Sequence, residues 1–337
     1  MRLLFIFILF TTFSLQSQCI DSVLCEKNCF CDNNTTPAGV MVSHVDQKNE
    51  WMFSYKFMGM TMGGIETGTL GNNSDNKGYA NYEMLPSAMR MDMHMIMLMY
   101  GITDKLTLMA MANYNVNTMS MQIVNDTTNQ ASHNHVHHQN TNEHLQKNSG
   151  LGDIKLSALY ALVKNKNHMF ILCGGISLPT GKINQTVITG SSINRLAYNM
   201  QNGSGTYDFL PCVNYLFQKN KFSFSLQGSG VIRTNYNTLG YKFGNEVTIN
   251  SWVAHQWSEF LSTSFRMEAN YCERIAGNDS GLNPFSEPAA NSVNYGGKRI
   301  SAYVGLVLHP QKEIMKKNSF GFEYGIPVYQ NLNGVCL

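Results

Sequence analysis

The stretch "MRMDMHMIMLMY", Met89 to Tyr100, carries a methionine at every second position, and this alternation constrains the fold more than any other feature of the chain. Side chains that recur with a period of two share one face of a β-strand, whereas a helix would scatter them around its axis. The same period runs through the segments on either side. Trp51, Phe53, Tyr55 and Phe57 alternate with Met52, Ser54, Lys56 and Met58, and Met60 and Met62 extend the second set. In "KLTLMAMANYNV", Leu106, Leu108, Ala110, Ala112 and Tyr114 oppose Thr107, Met109, Met111, Asn113 and Asn115. "DIKLSALYALV", "KFSFSLQ", "LSTSFRMEANY" and "SFGFEYGI" repeat the pattern, so each predicted strand has one greasy face and one wet face.

The chain is poor in charge, at 14% Asp, Glu, Lys and Arg, and its formal net charge is only +2, which gives no electrostatic case for a nucleic-acid partner. Residues 1–18 read as a secretory signal, with Arg2, the apolar run "LLFIFILFTTFSL" and a polar exit. Beyond it no apolar run approaches the roughly 20 residues of a spanning helix. Short connections such as "GITDK", "KNKNH", "KNK" and "SEF" interleave with long polar ones at about 63–87, 123–149, 181–204 and 275–296. Two-faced strands joined by turns that alternate short and long predict an all-β, antiparallel, up-and-down transmembrane barrel in the bacterial outer membrane, with the short turns in the periplasm. The expected organisation is a signal at 1–18, a cysteine-bearing periplasmic extension at 19–49 and a single barrel over 50–337. A secreted β-sandwich is the competing architecture.

"SGLGDIKLSALY" (Ser149 to Tyr160), "SLPTG" (Ser177 to Gly181), "NGSGTYDFLP" (Asn202 to Pro211) and "GIPVYQNLNG" (Gly325 to Gly334) resemble the MetA-pathway phenol-degradation family of bacterial outer-membrane transporters. "NEWMFSYKFMGM" and the Met89–Met111 region resemble its methionine-rich branch, which is associated with copper and heavy-metal efflux genes. The resemblance implies a barrel of about 12 strands, a transport role and small hydrophobic or aromatic solutes as one class of cargo. Only eleven strands can be counted from Glu50 onward, so either the chain is truncated, the wall closes imperfectly, or "PAGVMVSHV" supplies the twelfth strand. An unpaired edge in lipid is costly.

With aromatics claiming the lipid side, Met52, Met58, Met60, Met62, Met109 and Met111 are expected to face the lumen. A three-residue turn between the second and third strands would set Met97 opposite Met109 and Met95 opposite Met111, and so turn Met89, Met91, Met93, Met95, Met97 and Met99 inward; a two-residue turn would reverse that face. Arg90, Asp92 and His94 then point outward. Thioether sulfur is soft, neutral and never protonated, so neighbouring strands would present an array of ligands suited to transient Cu(I) or Ag(I) binding, with no resident cofactor required. The plainer reading is that flexible methionine fills an irregular interior.

The loop "SHNHVHHQNTNEH" adds His133, His135, His137, His138 and His144 near Met119 and Met121, as a candidate metal-capturing mouth or as solvated low complexity. Cys19, Cys25, Cys29 and Cys31 lack paired zinc-site spacing and are read as disulfides or loose metal capture, while Cys173, Cys212 and Cys272 read as small strand residues. Lys56, Lys155, Arg266, Glu268 and Glu323 are expected to be luminal charges that tune permeation. No serine has a persuasively placed histidine, and "GLGD" and "GSGTYD" lack the Lys-Ser or Lys-Thr of a phosphate loop, so no enzyme is expected. The sequence therefore points to an outer-membrane transport protein with a soft-metal bias, surrounded by lipid and served by periplasmic metal-efflux partners. The alternatives are an aromatic-solute channel, a non-conducting metal-sequestering surface protein and an adhesive barrel.

Overall fold

The computed structural model describes residues 9–15, 35–71, 82–124, 143–189, 192–311 and 318–336. Its wall is one antiparallel sheet that closes on itself. The strands are β1 (Leu9–Leu15), β2 (Trp51–Gly63), β3 (Met84–Thr103), β4 (Leu106–Ile123), β5 (Glu143–Leu151 and Ile154–Lys164), β6 (His168–Leu178), β7 (Asp208–Phe209 and Cys212–Lys219), β8 (Phe222–Arg233), β9 (Glu246–Gln256), β10 (Leu261–Cys272), β11 (Gly297–Leu308) and β12 (Asn318–Cys336). With each interrupted strand counted once, twelve strands pair in sequence order around the wall. β7 breaks at Leu210–Pro211, where proline brings no N–H to the ladder and Leu210 instead exchanges two main-chain bonds with Gly175, at 2.8 and 3.0 Å.

The sheet closes at β1, which pairs with β2 from Leu9↔Gly59 to Leu15↔Phe53 and with β12 from Phe10↔Glu323 to Leu15↔Asn318. The eleven strands expected from Glu50 onward are all present, and the twelfth comes from residues 9–15, within the stretch read as a signal. The last strand runs to Cys336.

"PAGVMVSHV" does not supply the twelfth strand. Residues 35–46 run inside the barrel, with Ala38, Val40, Val42 and Val45 buried, and this part of the expected periplasmic extension is therefore a luminal plug. Its valines pack against Met52, Met97, Met99 and Met109 of the wall. It leaves the lumen at the short-turn end, where Asn49 N–H donates to Gly101 O at 2.7 Å and Gly101 N–H donates to Glu50 O at 3.0 Å.

The β3–β4 turn departs from both sequence alternatives. It has two residues, Asp104 and Lys105, but Ile102 is bulged out, so the ladder passes from Thr103↔Leu106 to Gly101↔Thr107. The extra residue restores the parity that a two-residue turn alone would have reversed. Methionine consequently faces methionine, as Met97↔Met111 and Met99↔Met109, rather than in the register predicted from a three-residue turn.

Candidate functional site

The β2, β3 and β4 registers build the luminal face row by row. From the short-turn end upward, the rows are Met52–Met99–Met109, Ser54–Met97–Met111, Lys56–Met95–Asn113, Met58–Met93–Asn115, Met60–Met91–Asn117 and Met62–Met89–Met119. Two-residue periodicity on three paired strands turns a one-dimensional pattern into a sheet of thioethers. Met89 is 2% exposed and Met119 and Met121 are fully buried, while Ile96 on the opposite face is 50% exposed. Arg90 and Asp92 lie on that outward face and pair with each other at 2.8 Å, and the Tyr55 hydroxyl lies 2.7 Å from His94 Nδ1.

The thioethers fall into three groups along the barrel. Met52, Met97, Met99 and Met109 pack against the plug valines. Met89, Met119 and Met121 pack with Leu196 and Met200 of the 179–207 connection, and Met62, Met84 and Met91 adjoin them. Between these two packed groups lies a cavity of about 470 Å³, lined on one side by Met58, Met60, Met93, Met95, Met109 and Met111 and on the other by Lys155, Asn250, Arg266, Glu268, Arg299 and Tyr303. A cavity of that size suits a small-molecule or hydrated-ion site.

The charged residues divide by task. Arg266 is 1% exposed; its Nε donates to Glu323 Oε1 at 2.7 Å and its Nη1 donates to Glu268 Oε2 at 2.7 Å and to Asn250 Oδ1 at 2.8 Å. Its guanidinium also lies over the Tyr303 ring, 3.7 Å from the centroid. Glu323 Oε2 accepts from Gly39 N–H at 2.6 Å, and Lys56 Nζ donates to Val40 O at 2.6 Å. Lys56 and Glu323 thus pin the plug through its main chain, Arg266 holds Glu323 in place, and Arg266, Lys155 and Glu268 line the cavity. A second buried network joins Arg233 to Asp208 and, at 3.3 Å, to Glu246.

Cys173 and Cys212 form a disulfide across β6 and β7 at directly opposed positions and line the cavity, a pairing that their reading as small strand residues did not include. The signal lay in their register, which is invisible until the strands are paired. Met41 was also overlooked: it lies in the plug and lines the cavity beside the wall methionines. Cys272 is free. His144 is exposed at the end of β5, opposite Met121; His133, His135, His137 and His138, like Cys19, Cys25, Cys29 and Cys31, lie outside the described residues.

The outer surface settles the environment. Leu98, Leu108, Tyr160, Leu172, Ile249 and Val304 are each at least 40% exposed, while Ser54, Asn117, Asn214, Ser225 and Arg266 are buried inside. Apolar outside and polar inside, on a closed antiparallel wall, is the inverse of a soluble barrel and is stable only with lipid around it. The chain is an outer-membrane β-barrel. Residues 136–281 of this barrel match the family described as "Putative MetA-pathway of phenol degradation", a match to under half of its 337 residues. No curated protein matches by sequence. Among solved structures the barrel is similar to an outer-membrane channel from Pseudomonas putida F1, with 9% identity, 98% of this chain and 97% of that one covered and a TM-score of 0.43. It is also similar to a Pseudomonas aeruginosa FadL homologue, with 8% identity, coverage of 97% and 90% and a TM-score of 0.38. The toluene transporter TbuX of Ralstonia pickettii follows, with 11% identity, coverage of 97% and 89% and a TM-score of 0.34. Scores this low carry no argument about cargo; the fold rests on the closed ladder and the apolar belt.

Proposed function

We propose that this barrel is a transport channel whose lumen handles soft, polarizable cargo, with Cu(I) as the cargo its chemistry fits best. The observation that carries this reading is the cavity wall of Met58, Met60, Met93, Met95, Met109 and Met111, in which Met58, Met60, Met93 and Met111 are partly exposed and the buried Met95 and Met109 border the same open space. Uncharged thioethers bind Cu(I) and Ag(I) in preference to hard ions and offer several alternative ligand sets along one path. The Cys173–Cys212 disulfide adds sulfur to the same cavity without adding charge. Outer-membrane lipid around the belt and periplasmic metal-efflux proteins at the short-turn end are the partners this reading implies. If the histidines at 133, 135, 137 and 138 serve as a capturing mouth, they act before the thioether path begins.

The test is Ag(I) titration of the refolded barrel with free thiols alkylated and the loop histidines replaced by asparagine. Changing Met58, Met60, Met93 and Met95 together to leucine preserves volume and removes the sulfurs; the account expects loss of the strongest Ag(I) sites. Unchanged affinity and stoichiometry would overturn it.

A second reading, small apolar or aromatic solutes, is favoured by a groove of about 650 Å³ on the lipid face. Trp51, Leu98, Leu108, Leu156, Ile176 and Phe209 line it, and it reaches the inward-facing Met99 and Met109. Thioethers also pack well against aromatic rings. Uptake of a monoaromatic by proteoliposomes, undiminished by the four leucine substitutions and unaffected by Ag(I), would favour this cargo over metal.

A further inference from the structure

The floor of the sulfur-lined cavity is not part of the wall. It is the plug, and the plug brings a methionine of its own. Met41 stands between the buried Val40 and Val42 and lines the cavity with Met58, Met60, Met93 and Met95 of β2 and β3. Met41 also borders a smaller cavity of about 50 Å³ with Met52, Met97 and Met99, but the larger one, of about 470 Å³, sets it against the wall thioethers with the most open space between plug and wall. The group at Met89, Met119 and Met121 is packed to 0–2% exposure and has no room for an ion without rearrangement. The lower group packs against the plug valines and Met41 and leaves only about 50 Å³ open.

The neighbours of Met41 leave its sulfur available. Lys56 Nζ lies 3.9 Å from Met41 Sδ, and the same ammonium is held by Val40 O at 2.6 Å. A thioether has two lone pairs, so the hydrogen bond from Lys56 occupies one and leaves the other for a metal ion, which would share the sulfur with that ammonium. The rest of the plug tip is held through main-chain groups, Gly39 N–H to Glu323 and Val40 O to Lys56, so Met41 is its one soft side chain in the cavity.

We propose that a soft monovalent ion, Cu(I) or its redox-stable analogue Ag(I), bridges Met41 of the plug and the wall thioethers of Met58, Met60, Met93 and Met95, so that occupancy holds the plug in the lumen. The inference rests on the function proposed above and adds regulation to it. An ion that meets Met41 only when the plug is seated binds that state more tightly, and must shift the population toward it. Soft metal therefore limits its own passage through the lower half of the barrel.

The experiment is hydrogen–deuterium exchange of main-chain amides in residues 38–46, with the full barrel in lipid nanodiscs, with and without Ag(I), for the wild type and for Met41→Leu. Metal uptake by each is counted separately by mass spectrometry. At saturating free Ag(I), linkage slows exchange through plug release in the wild type by the ratio of its affinities for the seated and the released plug, since the wall sites bind in both states. Met41→Leu, similar in volume, keeps Ag(I) at the wall sites but loses this protection. Wild-type binding without protection, or equal protection in Met41→Leu, would overturn the bridging site while leaving the channel reading intact. Absence of any Ag(I) uptake by the wild type would overturn the underlying reading and this one with it.

Discussion

A methyl group on Gly39 would lie 2.5 Å from Nη2 of Arg266 and 2.7 Å from Oε2 of Glu323, so no side chain fits where the plug meets its charged anchor. Gly39→Ala is expected to lift the plug tip at a cost of about 1–3 kcal/mol, in line with overpacking elsewhere, and to raise single-channel conductance in planar bilayers; conductance equal to wild type would show that the plug does not limit flow. Outside the membrane, Glu287 is 4% exposed, its Oε2 has no hydrogen-bond partner among the described residues, and burial pushes its carboxyl up from 4.5 to about 7. A folded pKa above the unfolded one means that its stabilising share is full below pH 4.5 and is lost as pH rises through about 7. The melting temperature in detergent should therefore fall between pH 5 and pH 8, and Glu287→Gln should flatten that fall; an identical slope in the variant would remove Glu287 as its source. Single residues were the least legible in the sequence. Nothing in "PAGVMVSHV" marks Met41 as a luminal group, because its neighbours in space belong to strands far along the chain.

Elements were legible wherever alternation was strict. The inward methionine face of β2, β3 and β4 and the outward aromatic face of β2 follow from a period of two together with the apolar character of lipid. What the pattern could not supply was register, because the bulge at Ile102 is a local backbone choice that leaves the alternation on either side intact. Deleting Ile102 removes the bulge and shifts the pairing by one residue, which would drive Met89 through Met99 toward lipid and Arg90, Asp92 and His94 inward. Such a chain is expected to lose the heat-modifiable gel shift of a folded barrel; retention of the shift with normal stability would contradict the register. Arg266 tests the anchor in another way. Arg266→Ala leaves Glu323 and Glu268 buried without their cation and should cost about 3–5 kcal/mol, read from denaturant unfolding, whereas a loss under 1 kcal/mol would mean that the network adds little.

For the whole molecule, the class was readable from composition, alternating turn lengths and the absence of long apolar runs, but closure was not. The seam is made by Leu9–Leu15, which pairs on both sides, with β2 and β12. Composition marks the same residues as an export signal, because a short apolar run serves either purpose. Refolding a chain that lacks residues 1–18 exposes two main-chain edges to lipid, where unsatisfied groups cost several kcal/mol each. Its melting temperature should drop well below that of the full chain, and equal stability would show that β2 and β12 can pair directly. The central proposal is that Met58, Met60, Met93 and Met95 line an open, soft-metal-binding cavity in the lumen. Its most direct test is NMR of the barrel with 13C-labelled methionine methyls in nanodiscs, titrated with Ag(I) and separately with a lipid-soluble paramagnetic agent. The account predicts that Ag(I) shifts the methyls of Met58, Met60, Met93 and Met95 while the lipid agent leaves them sharp; broadening of those methyls by the lipid agent, with no shift on adding Ag(I), would contradict it.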